Sequence, residues 1–198
     1  MHAFYAPSPL LVRVVFPVAA DVRRIGVEAV LLRGPLVIVA ERRSRWDATA
    51  LAAALPRPVA FWGGGWAAAR ARPKWRGGLD EGVDMLRRDA ALGVLVGGRN
   101  ESLRGGDSGP ILVGMAGAAL LALRASAPIM PVSISGTDEI RLLRRPRVEV
   151  VFGQPFSLPM LEGPLSRAVL RALARMVVAR LAAVGTEGYR RPPATAGG

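Results

Sequence analysis

At 198 residues the chain has the length of one domain, and with 51% apolar residues it can bury a substantial core without disulfides. It has no cysteine and one histidine, His2, which excludes thiol nucleophiles, disulfides, thiolate metal sites and histidine-rich metal sites, and no cofactor is expected. Lys and Arg total 27 against 15 Asp and Glu, a net charge of +12 in which Lys74 is the sole lysine.

In chain order, the first apolar stretch is PLLVRVVFPVAA over 9–20. Arg13 and Pro17 interrupt it, and spanning a bilayer takes about 20 apolar residues in a row. It lacks the basic start and clean apolar run of a signal peptide. The expectation is a segment packing on the domain or lying at a membrane surface, with core packing preferred. LVIVA over 36–40 is a continuous β-branched run of the kind buried on both faces in a parallel sheet. DATALAAALP over 47–56 predicts a short helix with a carboxylate at its start and a proline stop. PVAFW over 58–62 is a second strand. A helix over 78–91 places Leu79, Val83 and Leu86 on one face, and LGVLVGG over 92–98 is a third strand ending in glycines. A glycine-rich loop, an apolar helix over 109–125, a strand and turn over 127–137 and an alternating strand over 147–156 follow. The last helix, over 164–184, carries proline in its first turn and stops at Gly185. Its Arg167, Arg171 and Arg175 form one stripe opposite Leu165, Val169, Leu173 and Val177.

This alternation predicts an α/β domain of three layers, a mostly parallel sheet flanked by helices. The expected division is an apolar segment at 1–32, the domain proper at 33–185 and a disordered tail at 186–198. Ligands in such folds bind beyond the carboxyl ends of the strands, which directs attention to the loops after Ala40, Trp62 and Val96.

The excess of arginine suits anionic partners, such as lipid headgroups or phosphorylated metabolites, and equally suits a merely basic surface. Neither zinc-finger spacing nor an aromatic RNA-binding signature is present, so nucleic acid is a minor option. In the GGRNESLRGGDSG segment the lysine and spacing of a P-loop are missing, which reads as a surface turn.

Taken together and in order, GPLVIVA with Ser44 and Asp47, GP…G…A at Gly109, Pro110, Gly114 and Ala118, APIMPVSISGT around Pro131, and RPRVEVVFGQPF resemble the glycerolipid acyltransferases that include the lysophosphatidic acid acyltransferases. The resemblance runs from about Arg33 to Phe156. It implies a glycerolipid acyltransferase-like fold, an acyl-CoA or acyl carrier protein donor, and a lysophospholipid-type acceptor. The family carries a His-x4-Asp motif whose histidine is the general base toward the acceptor hydroxyl, a task suited to an imidazole. Here Asp47 keeps the aspartate position while Arg42 stands at the histidine position. Guanidinium is protonated at any relevant pH and has no acceptor lone pair, so Arg42 cannot be that base.

The family's F-P-E-G-T-R-S loop, which helps hold the acceptor phosphate, corresponds to LVGGRNES. Gly97 replaces the glutamate, Gly98 persists, and Arg99 stands one place before the expected arginine. In RPKWR, Arg76 is the candidate for the family's middle arginine. The resemblance therefore assigns Arg43, Ser44, Arg76, Gly98, Arg99 and Pro131 to substrate binding.

No replacement base stands out. His2 would require the amino terminus to fold across the strand ends, Glu41 points to the face opposite its neighbour, and Asp47 beside Arg42, Arg43 and Arg45 should have a lowered pKa. The preferred expectation is a divergent family member that lacks the standard His-dependent transfer. It would bind an anionic lipid, an acyl thioester or a protein partner from the cytoplasm, in peripheral contact with the inner face of the membrane. The alternative is an active acyltransferase with an unorthodox base.

Overall fold

The computed structural model describes residues 4–5, 12, 16, 18–62, 75–97, 110–140, 145–160 and 163–190. Its centre is β3 (Leu36–Glu41), six buried residues of which 36–40 send apolar side chains to both faces of the strand. β5 (Ala91–Val96) and β6 (Ile129–Ser135) flank it in parallel, and β4 (Val59–Trp62) extends the parallel group beyond β5. β7 (Arg147–Phe152) runs antiparallel to β6, and β2 (Asp21–Ile25) pairs in parallel with β7 at the edge. β1 (Phe4–Tyr5) lies antiparallel to β4 at the other edge. The seven-stranded order is β1-β4-β5-β3-β6-β7-β2.

Helices cover both faces, as expected from the alternation. α1 (Asp47–Ala54) closes one face with Ala50, Leu51 and Ala54 over Leu36, Ile38 and Ala40. α2 (Trp75–Arg87), α3 (Pro110–Ala125) and α4 (Arg167–Arg190) close the other over Val37 and Val39. Met115, Ala118 and Leu121 of α3 sit at its centre, fully buried. α3 comes close to β5 at Gly114, where an added Cβ would overlap Val96 Cγ1. Phe16 and Ala20 join the α1 side of the core, which places the described part of the first apolar stretch against the sheet.

Several expectations need correction. β2 is an additional strand that apolar patterning does not announce, because DVRRI carries the charge of an exposed edge strand, where Arg23 pairs with Glu149 of β7 at 3.2 Å. α4 begins at Arg167, three residues after Pro164, because the Ser166 hydroxyl accepts the Val169 N–H and supplies the cap. It does not stop at Gly185 but continues to Arg190, so residues 186–190 belong to the helix and not to the tail. Leu165 precedes the helix and is exposed.

At the amino ends of the strands a buried Arg57, 8% exposed, ties three segments together. Its guanidinium donates to Leu31 O at 2.8 Å, Gly34 O at 2.9 Å and Asp89 O. A planar fork of fixed donors suits this task as a lysine would not.

Candidate functional site

At the opposite, carboxyl edge, the Arg42 N–H donates to Val96 O at 2.6 Å and so carries the β3–β5 ladder one residue beyond Glu41. Arg42 therefore sits beside the end of β5, where Gly97 turns the chain with φ 100°. Among the described residues no side-chain hydrogen bond or ion pair engages the half-buried Arg42 guanidinium. Arg43 ion-pairs with the buried Glu41 at 2.8 Å, and Arg45 lies 5.3 Å from the ring centroid of Trp46.

Asp47 occupies the first position of α1 but does not cap it. Its carboxylate turns back into the β3–α1 loop and is 0% exposed. Oδ2 accepts the backbone N–H groups of Arg43 at 2.7 Å and Ser44 at 2.8 Å, and Oδ1 accepts the Thr137 hydroxyl. The Ser44 hydroxyl accepts the Trp46 N–H at 3.2 Å and donates to Thr137 O at 3.2 Å. Ser44, Asp47 and Thr137 thus lock the loop after β3 to the turn after β6. That turn depends on Gly136, whose φ of 80° and contact with the Arg147 carbonyl leave no room for a side chain.

The carboxyl of Asp47 is pushed above its ordinary value by burial. The Thr137 hydroxyl, the Ser44 and Arg43 amides and the Arg42 charge oppose the shift without reversing it. This corrects the expectation of a lowered pKa, which weighed the arginines and missed the depth of the carboxylate. Thr137 is a member of this site that no local motif announces. A hydroxyl just after a glycine turn was visible in SISGT, but its partner lies 90 residues away.

The remaining assigned residues are dispersed. Pro131 is buried within β6, where its carbonyl accepts the Gly153 N–H at 2.9 Å and its ring packs at Gly153, away from the Asp47 cluster. Arg76 lies in the first turn of α2. Gly98 and Arg99 fall outside the described residues, as does His2. Phe4 pairs with Trp62 and Tyr5 with Phe61, which sets β1 at the sheet edge with β4 and β5 between it and β3.

Elsewhere, a groove of about 450 Å³ is lined by Asp80, Val83, Asp84, Arg87 and Arg124. Arg87 and Arg124 stand at the ends of helices leading into β5 and β6, so this groove opens away from Asp47. Its Arg124–Asp80 pair at 3.1 Å is solvent-exposed and so weakly stabilising. Among the described residues there is no cluster of metal-binding side chains, and no helix is long and apolar enough to cross a membrane.

No protein-family model matches the sequence, and no curated protein matches it. Among solved structures, the chain is similar to the crystal structure of the 1-acyl-sn-glycerophosphate (LPA) acyltransferase PlsC from Thermotoga maritima, with a TM-score of 0.56 and 18% identity. The match covers 93% of this chain and 79% of that one. At this identity the likeness is one of fold: the mostly parallel, helix-flanked sheet described above is acyltransferase-like.

Proposed function

We propose that the protein is a divergent acyltransferase-fold protein that binds an anionic lipid or acyl thioester at the carboxyl edge of its sheet, without His-dependent acyl transfer. It would work from the cytoplasm, in peripheral contact with an anionic membrane. The observation that carries this reading is the state of Asp47. Three of its acceptor sites are committed to the loop after β3 and the turn after β6, and none of its surface is exposed, so a substrate hydroxyl in the crevice has no access to it. Beside it, Arg42 has the charge to hold a phosphate and no lone pair to accept a proton.

The test pairs transfer with binding. Purified protein supplied with acyl-CoA or acyl carrier protein thioester and lysophosphatidic acid should show no turnover above the blank. It should bind lysophosphatidic acid, and Arg42→Gln should weaken that binding by about tenfold, the loss of one charge-assisted contact. Robust turnover that disappears in Asp47→Asn would overturn the reading and favour the alternative, an active acyltransferase, which the likeness of fold to PlsC supports.

A further inference from the structure

α4 buries Leu173, Ala174, Val177, Leu181 and Val184 in the helical side of the core, and it leaves a different chemistry outside. Arg167, Arg171 and Arg175 recur every fourth residue along one exposed border. Beside them Ala168, Ala172, Met176 and Ala179 are exposed and form a shallow apolar strip. No aspartate or glutamate occurs from Arg167 to Gly185. Just ahead of the helix Met160 is 97% exposed and Leu165 is also exposed. At roughly 1.5 Å per residue, this border extends over more than two helical turns.

We infer that the outer face of α4 docks on an anionic lipid bilayer. Its arginine border would meet headgroup phosphates, and its alanine and methionine strip would settle at the headgroup boundary. The arrangement matches an interfacial helix, in which cations with long apolar stems flank an apolar strip. A second copy is a poorer occupant, because face-to-face pairing would set the two arginine borders against each other. Nucleic acid is poorer as well, since the centre of the strip offers neither aromatic faces nor hydrogen-bond donors. The neighbouring aromatic, Phe156, is covered by Arg180, whose guanidinium lies 5.4 Å from the ring centroid. α4 also reaches the carboxyl half of β6, where an added Cβ at Gly185 would stand 3.7 Å from Ser133 Oγ.

The inference rests on the peripheral contact proposed above and names the face that makes it. Sedimentation with phosphatidylglycerol–phosphatidylcholine vesicles, compared with pure phosphatidylcholine, tests it. The full chain should partition to the anionic vesicles and be released by salt. Arg167→Gln with Arg171→Gln should reduce partitioning about thirtyfold, from roughly 1 kcal/mol per arginine near the surface. Ala172→Glu should act in the same direction. Arg24→Gln with Arg88→Gln, which removes equal charge from exposed positions elsewhere, should have little effect. Equal losses in the two double variants, or an unchanged Arg167/Arg171 variant, would overturn the face assignment while leaving peripheral contact standing. Failure of the unmodified protein to bind anionic vesicles would overturn both, and α4-dependent binding of single-stranded RNA without vesicle binding would do the same. Lysophosphatidic acid binding that persists in the Arg167/Arg171 variant separates this face from the Arg42 site.

Discussion

Asp47 and Thr137 form the tightest local commitment at the candidate site, and two predictions belong to them. Thr137→Val keeps the shape but leaves Oδ1 of a buried carboxylate without its hydroxyl, which should cost about 1–3 kcal/mol in a urea denaturation at neutral pH. Thr137→Ser should recover most of the loss, because the donor is restored. The pH dependence follows from the raised pKa of Asp47. The folded chain holds this proton at pH values where the unfolded chain has released it. The stability Asp47 contributes is therefore full below the ordinary aspartate range and is lost as pH rises through the raised value. Stability measured relative to Asp47→Asn should thus decline across that window. A rise would mean that the hydrogen bonds and Arg42 outweigh burial.

Among the elements, the sheet is held at particular close approaches. Gly93 in β5 lies against Phe61 of β4, where an added Cβ would come within 2.5 Å of Cδ1, and Phe61 is itself buried. Gly93→Ala should destabilise the fold by about 1–3 kcal/mol through overpacking, as read from its denaturation midpoint. Arg57→Met would retain the stem and orphan the carbonyls of Leu31, Gly34 and Asp89 at the amino edge. A loss of about 3 kcal/mol is expected, with Arg57→Lys recovering little because an ammonium cannot reproduce the fork. These contacts explain which elements were legible beforehand. The run at 36–40 announced a doubly buried strand because every side chain in it is apolar. β2 stayed hidden because an edge strand beside β7 needs no such run.

For the whole molecule, the decisive comparison is between the acyltransferase-like fold and the chemistry of the residues at its carboxyl edge. Arg42→His alone should not produce acyl transfer, because Asp47 is already bonded to Thr137, Arg43 and Ser44 and Gly97 supplies no carboxylate; adding Gly97→Glu is the combination to compare in the same assay. Full activity from the single change would show that the Asp47 lock yields readily. Layer architecture and the placement of α3 between strands were readable from local pattern, since periodicity acts within a few residues. The burial of Asp47, its bond to Thr137, the return of the amino end to β4 and the outward arginine border of a helix reaching Arg190 were set differently. Each depends on segments far apart in the chain meeting at one edge or face, and burial, the strongest influence on Asp47, exists only once that packing has excluded water.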